Sequence, residues 1–383
     1  MSKTIIIIGA GLAGLSAALQ AAENGCNVKL VSSLPSERAQ SVMAEGGINA
    51  ALNTKDENDS PEEHFTDTIK AACGLADPNA VWGMTQAAPE LVHWLLKLGV
   101  KFNMSGYDDV DLRNFGGQKK KRTAFAQSDT GKQIMTAMID AVRRKEASGM
   151  VERFSHHSFL TLRLCGNICC GCVIRDEYSQ ETVELPGDAV IVATGGMHGL
   201  FGNTTGSLSN TGEVTAELFR LGVPLANGEM IQYHPTTVKC GGKRMLISEA
   251  ARGEGGRLFA MKDGKQWYFM EEKYPELGNL MPRDITAREI WKVSHESEVF
   301  LDMTEISEEI ISNKLSGLAD DCMTYLHKDI RKEPVSVLPG IHYFMGGILV
   351  DEQHRTPIQN LYAAGECCAQ YHGANRLGGN SLL

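Results

Sequence analysis

The sequence predicts an α/β fold in which a Rossmann-like dinucleotide-binding domain is interrupted by an inserted α+β capping domain. Three observations predict it: a glycine-rich turn between a strand and a helix near residue 9, two later apolar strands that end in small-residue turns, and a more polar, more charged texture between them. The dinucleotide-binding domain is expected at 1–235 and 340–383, and the inserted domain at 236–339.

The first element is a strand–turn–helix–strand unit. Residues 4–8 are a β-branched apolar run typical of a buried parallel strand. Residues 12–23 are rich in Ala and Leu and are followed by Asn-Gly, which predicts a helix and its end. Residues 27–32 form the next strand.

The turn of this unit carries the dinucleotide signature. Gly9 permits a tight turn, Gly11 lets the backbone approach a pyrophosphate, and Gly14 lets the helix pack closely on the strand. A helix that begins here directs its positive end at the phosphates. The second strand ends in Ser32 and Ser33 rather than in the acid that usually holds the ribose, so ribose binding is expected to be weaker here.

Two later segments favour FAD over a nicotinamide cofactor. Residues 188–196 and 361–366 are strands that end in small-residue turns, and two-domain flavoproteins commonly close their cofactor site with such segments. A hairpin is predicted at 160–164 and 168–175, joined by Gly-Asn. Between 236 and 339 we expect polar helices and few strands.

Composition excludes some partners. The net charge of −10 disfavours nucleic acid and anionic lipid as direct ligands. Ten cysteines without a signal peptide predict reduced thiols in the cytoplasm. Four of them, at 165, 169, 170 and 172, lie on the predicted hairpin, where neighbouring residues point to opposite faces. We therefore expect ordinary thiols and no metal site.

Seven motifs occur in order along essentially the whole chain. They are Ala44-Glu-Gly-Gly47, Phe115-Gly-Gly117, His234-Pro-Thr236, Ser248-Glu-Ala-Ala-Arg-Gly-Glu-Gly-Gly256, Pro282-Arg-Asp284, His342-Tyr-Phe-Met-Gly-Gly347 and His372-Gly-Ala-Asn-Arg-Leu-Gly378. The series resembles the succinate dehydrogenase/fumarate reductase flavoproteins, and residues 262–290 are most similar to their menaquinone-linked Gram-positive and epsilonproteobacterial branch. Residues 378–383 look like the start of a helix without its body, so we expect a C-terminal part to be missing.

This resemblance implies a Rossmann-like FAD-binding domain and a dicarboxylate site. Arg283 matches the family's proton donor, and Glu249 and Arg252 match the relay that returns the proton to it. The substrate-binding positions implied are His234, Ser248, His342, Arg376 and Phe115. The cofactor-binding positions expected are Gly9, Ala10, Gly11, Ala13, Gly14, Ser32, Ser33, Gln40, Ser41, Glu45, Gly46, Gly47, Phe159, Ala193, Thr194, Gly195, Glu213, Glu366, Arg376, Ser381 and Leu382.

One position departs from the resemblance. The family's membrane-bound members carry a His that links FAD covalently, within an Arg-Ser-His pattern, whereas this chain has Arg38-Ala39-Gln40. An amide is no nucleophile towards the flavin, so we expect non-covalent FAD. Without the electron-withdrawing link, fumarate reduction should be favoured over succinate oxidation.

Three alternatives stay open. The first alternative is an L-aspartate oxidase. That enzyme resembles this chain but has a Glu at the position of Phe115, where the carboxylate binds the substrate ammonium. A reductase of another enoate would need only one carboxylate grip. A truncated, inactive flavin-binding fragment is the non-enzymatic alternative. For the full-length protein the resemblance implies an iron–sulfur subunit and a membrane quinone anchor at the cytoplasmic face of the inner membrane.

Overall fold

A computed structural model describes residues 2–383. The helices are α1 Leu12–Glu23, α2 Pro61–Ala71, α3 Pro78–Leu98, α4 Thr130–Ala147, α5 Glu213–Arg220, α6 Glu249–Gly253, α7 Phe269–Lys273, α8 Arg283–Ser294, α9 Glu308–Lys314 and α10 Ser316–Asp321. The strands are β1 Thr4–Ile8, β2 Asn27–Ser32, β3 Ile48–Asn49, β4 Leu112–Arg113, β5 Thr123–Ala124, β6 Val151–Ser155, β7 His157–Cys165, β8 Ile168–Asp176, β9 Thr182–Pro186, β10 Ala189–Val192, β11 Leu225–Ala226, β12 Ile231–Cys240, β13 Lys243–Leu246, β14 Arg257–Lys262, β15 Lys265–Trp267, β16 Val299–Asp302, β17 Val335–Ser336, β18 Leu338–Phe344, β19 Gly347–Ile348 and β20 Leu361–Ala363.

A five-stranded parallel sheet forms the centre of the nucleotide-binding part. Its strand order is β20-β10-β1-β2-β6, and Ile7 of β1 pairs with Leu30 on one side and Ile191 on the other. Ile7 and Leu30 lie in a cluster buried beneath α1, α3 and α4, and Ile191 packs against it, while the opposite face of the sheet packs on the β7–β8–β9 sheet. The sheet therefore combines β1 from the beginning of the chain with β20 from residues 361–363.

The glycines of the first turn fit the close packing expected of them. Gly9 has φ 112°, and a Cβ there would lie 2.2 Å from the carbonyl oxygen of Ala193. A Cβ on Gly14 would lie 1.8 Å from the carbonyl oxygen of Gly9. A side chain at Gly14 would push α1 away from the end of β1, and one at Gly9 would push the turn away from Ala193, the residue after β10.

The inserted part has its own core and more strands than the sequence suggested. Its sheet has the order β15-β14-β16-β17, and its buried cluster runs from Ile247 to Val337. The pairings of β16 with β14 and β17 were missed because they join short strands that are far apart in sequence, whereas β14 and β15 form a local hairpin through Asp263-Gly264 whose turn signal was overlooked. The antiparallel strands β12 and β18 run across the expected boundaries at 235/236 and 339/340 and connect the two parts.

The hairpin of β7 and β8 is present as predicted, and β9 adds a third strand. Residues 380–382 form one turn of 3-10 helix. Within residues 2–383, none of the helices combines the length and apolar character that a membrane crossing requires.

Candidate functional site

A cavity of about 680 Å³ extends from the carboxyl ends of the parallel strands to the junction with the inserted part. This volume is within the range of ligand pockets. The predicted residues that line it from the nucleotide-binding part are Gly9, Ala10, Gly11, Ala13, Ser32, Ser33, Gln40, Ser41, Glu45, Gly46, Gly47, Phe159, Ala193, Thr194, Gly195, Glu213, Glu366, Ser381 and Leu382. At the junction it is lined by Phe115, His234, Ser248, Glu249, Arg283, His342 and Arg376. Gly14 packs behind the turn, and Arg252 lies behind Glu249.

The end of the cavity at the first glycine turn carries polar groups for a ligand. The hydroxyl oxygen of Ser41 accepts a hydrogen bond from the Leu12 N–H, 3.2 Å away, at the start of α1. Ser32 Oγ and Gln40 Oε1 are buried without a hydrogen-bond partner within residues 2–383. Buried polar atoms of this kind are normally satisfied, so a bound polar ligand would complete them.

The junction end brings cations and histidines together from separate elements. His234 lies on β12, His342 lies on β18, and Arg283 is the first residue of α8. Ser248 precedes α6, and its hydroxyl accepts from the Ala250 N–H. The sequence spreads these residues over more than a hundred positions, and the β12–β18 pairing brings them to one place.

Arg283 is held by a buried carboxylate. Its Nε and Nη2 both lie 2.7 Å from Oε2 of Glu249. The other oxygen, Oε1, accepts from the Gly116 N–H at 2.9 Å and lies 3.4 Å from Nη2 of Arg252. Burial alone would raise the pKa of Glu249, but the guanidinium groups of Arg283 and Arg252 hold that pKa below its ordinary value. Glu249 is therefore ionised near neutral pH.

Gln232 connects the two arginines that face the cavity. Its Oε1 accepts from Arg283 Nη1 at 3.1 Å and from Arg376 Nη2 at 2.9 Å. Its Nε2 donates to Asn375 Oδ1 at 3.0 Å and to the carbonyl oxygen of Arg376 at 2.7 Å. The amide is thereby fixed, and its dipole reduces the repulsion between the two cations.

Both junction histidines are neutral. The rings of His234 and His342 lie 5.0 Å apart. Burial lowers the pKa of each well below 6.5, and the charge of Arg283 acts in the same direction. Nδ1 of His234 contacts the Thr236 backbone, while its Nε2 is buried without a partner within residues 2–383. This nitrogen remains available to a ligand.

Arg376 packs on an aromatic face. Its guanidinium carbon lies 4.2 Å from the ring centroid of Tyr343. Burial lowers the pKa of Arg376 to about 9, and the nearby charge of Arg283 contributes. The group is still a cation at neutral pH and still attracts an anion.

Phe115 occupies a fully buried position between two glycine turns. A Cβ on Gly46 would lie 2.8 Å from the ring, and one on Gly378 would lie 3.1 Å from it. The Arg113 guanidinium lies 5.8 Å from the ring centroid. The side chain therefore presents an apolar surface to the cavity.

Sequence reasoning missed several residues of the junction. Gln232 is two residues before His234, and alternation along a strand places both on one side, which was an available signal. Tyr343 lies inside the motif of residues 342–347, from which the sequence analysis assigned only His342 to the site. Thr205, whose hydroxyl lies 2.8 Å from His342 Nδ1, has no local signal, because the contact spans 137 positions.

The clustered cysteines lie on the hairpin, away from the cavity. Cys165 is exposed, and its sulfur lies 2.8 Å from that of Cys170. Cys169 and Cys172 are buried, and burial raises the pKa of both thiols. Within residues 2–383 no group of three or more potential ligands is arranged for a metal ion.

Comparisons with known proteins agree with this geometry. A family model described as "FAD binding domain" matches residues 4–382. The succinate dehydrogenase flavoprotein subunit of Bacillus subtilis is 44% identical over 100% of this chain and 67% of its own length. The 8-methylmenaquinol:fumarate reductase flavoprotein subunit of Wolinella succinogenes is 35% identical over 100% of this chain and 63% of its own. The solved E. coli quinol fumarate reductase has a TM-score of 0.91 at 30% identity, covering 100% of this chain and 67% of its own. The chain thus spans about two thirds of the length of these relatives.

Proposed function

Because this chain belongs to the FAD-binding family of succinate dehydrogenase and fumarate reductase flavoproteins, we propose that it interconverts fumarate and succinate, with fumarate reduction favoured. FAD is its cofactor, and the bound flavin supplies or accepts the hydride. The observation that carries the proposal is the meeting of Arg283, Arg376, His234 and His342 around one end of the cavity.

The junction can hold a dicarboxylate at both ends. His234 and Ser248 bind one carboxylate, while His342 and Arg376 bind the other, where the guanidinium offers paired donors. Two carboxylates brought out of water need compensating charge, and the cations Arg283 and Arg376 supply it. Phe115 excludes water from this end, since its ring is fully buried against the glycine turns.

Arg283 is the proton donor in this proposal. A guanidinium has a pKa above 12 and releases a proton only if the loss is concerted with transfer to carbon and is quickly reversed. Once Arg283 has given its proton to carbon, Glu249, 2.7 Å from two of its nitrogens, passes on a replacement proton that it takes from Arg252 and that comes from solvent. Nη1 of Arg252 donates to the Asn279 carbonyl oxygen at 2.6 Å, which holds this guanidinium in place. The three side chains form one continuous path.

The cofactor is held without a covalent bond. Gln40 lines the cavity where the family's covalently linked members carry His, and its Oε1 is buried without a partner. Acid precipitation should release all flavin into the supernatant, and flavin fluorescence on the denatured band in a gel would contradict this. Free FAD mixed with an already denatured sample is the control for trapping.

The absence of a covalent bond between the protein and the flavin also determines which direction of the reaction is favoured. A covalent histidyl bond withdraws electron density from the ring and makes FAD a better oxidant. For a two-electron couple about 30 mV corresponds to a tenfold change in equilibrium constant, so a modest loss of potential shifts the balance towards fumarate reduction. The cations Arg283 and Arg376 act in the opposite direction, and we take the missing bond as the larger effect.

An L-aspartate oxidase activity is the second candidate, because that enzyme resembles this chain and also acts on a dicarboxylate. Phe115 argues against it, since a buried phenyl ring offers no carboxylate to an ammonium. An anaerobic assay with reduced viologen against fumarate and urocanate, together with an oxidase assay on L-aspartate, separates the candidates. Turnover of fumarate alone supports the proposal, and turnover of aspartate or urocanate alone would overturn it.

The partners of the full-length protein are proposed from its relatives. An iron–sulfur subunit delivers the electrons, and a quinone-binding membrane anchor holds the assembly at the cytoplasmic face. The support is the match to the flavoprotein subunits of quinol- and menaquinol-dependent complexes. Isolation of the native protein as a single, active chain that accepts electrons from NADH would contradict it.

A further inference from the structure

Thr205 contacts His342 from behind the junction end of the cavity. Its hydroxyl oxygen lies 2.8 Å from Nδ1 of His342. The Thr205 N–H donates to the Ile341 carbonyl oxygen at 2.9 Å, and the Ile341 N–H donates to the Asn203 carbonyl oxygen at 2.9 Å. Thr205 is buried, and these main-chain hydrogen bonds hold the backbone that carries its hydroxyl beside the imidazole.

The hydroxyl has one proton and two acceptors within reach. The Ile341 carbonyl oxygen lies 3.4 Å away and already accepts from the Thr205 N–H. Nδ1 of His342 is nearer and is the more basic atom, so the hydroxyl donates to Nδ1. A neutral imidazole has one donor and one acceptor nitrogen. When Nδ1 accepts, the proton lies on Nε2.

We propose that Thr205 is a positioning residue that sets the tautomer of His342, so that an N–H at Nε2 faces the substrate. This inference rests on the proposed function, because it assigns His342 to a substrate carboxylate. A carboxylate only accepts hydrogen bonds, and the opposite tautomer would set a lone pair against it. Burial and the charge of Arg283 keep the imidazole neutral, so the tautomer matters.

Two variants distinguish a role for the Thr205 hydroxyl as a hydrogen-bond donor from a role for its branched side chain in packing. Thr205→Val keeps the branched side chain and removes the hydroxyl, whereas Thr205→Ser keeps the hydroxyl. We expect Thr205→Val to weaken binding of malonate, a dicarboxylate without the reacting carbon pair, and to raise KM for fumarate, each by about tenfold. Thr205→Ser should stay within roughly threefold of wild type. Flavin content should be the same in all three proteins. Equal malonate affinity in Thr205→Val and wild type would overturn the inference.

A second measurement reads the tautomer directly and does not depend on activity. The ring nitrogens of flavin-loaded, 15N-histidine-labelled protein are observed by NMR, and His342→Gln identifies the signals. We expect an unprotonated Nδ1 and a protonated Nε2 in wild type and Thr205→Ser, and loss of this preference in Thr205→Val. An unprotonated Nε2 in wild type would overturn the inference. A wild-type protein with the expected tautomer but no activity on fumarate would overturn the proposed function alone.

Discussion

The guanidinium of Arg283 donates to Glu249 through two nitrogens that reach the same carboxylate oxygen, each at 2.7 Å. Because both nitrogens use Oε2, the other carboxylate oxygen, Oε1, is left to accept from the Gly116 N–H and to pair with Arg252. This arrangement also leaves Nη1 of Arg283 to Gln232. The carboxylate therefore fixes the orientation of Arg283 from behind, while the guanidinium borders the cavity.

Replacing Arg283 with Lys should lower fumarate reduction by about 100-fold or more, because a point charge cannot reproduce the planar group held by Glu249 and Gln232. Flavin content should not change. The matched control is Arg288→Lys on the same helix, where the side chain is largely exposed. Initial rates with reduced viologen decide the matter, and a rate within a few-fold of wild type for Arg283→Lys would remove it as proton donor.

Glu249→Gln should lower turnover and stability together. Leaving two buried arginines without their carboxylate costs about 3–5 kcal/mol of unfolding free energy. Because the pKa of Glu249 lies below its ordinary 4.5 in the folded protein, its stabilising contribution is present above about pH 4.5 and is lost as pH falls through the folded pKa. Urea unfolding of wild type and variant from neutral to acidic pH measures the difference. A difference that persists unchanged at the acid end would contradict the assignment.

The two junction histidines should not titrate near neutrality. With their pKa values well below 6.5, KM for fumarate should stay constant between about pH 6.5 and 8. Cationic histidines would instead raise KM as the pH rises. The same pKa shifts affect stability. The free energy of unfolding should fall as the pH drops below 6.5, because His234 and His342 take up protons in the unfolded chain but not in the folded one. His234→Gln, which cannot be charged, is the control and should show the same flat profile.

Gln232→Met should remove the hydrogen-bonded bridge between Arg283 and Arg376. The thioether is similar in length but cannot accept from Arg283 and Arg376, so we expect KM for fumarate to rise about tenfold. Gln232→Glu should raise it further, because a negative charge would neutralise the cations that attract the dianion. Tyr233→Phe, on the exposed side of the same strand, is the control. Unchanged steady-state kinetics in both Gln232 variants would show that the bridge has no role in binding.

Several parts of the fold that depend on neighbours in the chain were predicted from the sequence, although the β14–β15 hairpin was not. The turn at Gly9 and the hairpin at 166–167 are local, and both occur where expected. The pairing of β14 with β16 joins residues about 40 positions apart, and it was missed because short strands in a polar segment have no periodic signal of their own.

The residues of the candidate site likewise fall into those that the sequence predicted and those that only the folded structure reveals. Arg283 and His342 were found through resemblance, and the structure brings both to the cavity. Thr205 was not found, because a hydroxyl behind a histidine leaves no pattern in the chain. The orientation of Gln232 follows from partners at 283, 375 and 376, which only the folded chain brings together.

The place of β20 in the central sheet has a consequence for biosynthesis. A ribosome delivers the N-terminal strand–turn–helix unit first, and domains generally fold as they emerge. The strand that pairs with β10, and Glu366 just after it, emerge only after the inserted part has been made. The cofactor pocket of the nascent chain therefore stays open on one side until translation of this region is almost complete. Capture of the flavin should therefore follow synthesis of the inserted part, and a ribosome stalled before residue 361 should display the complete buried cluster of the inserted part beside a pocket that cannot yet close.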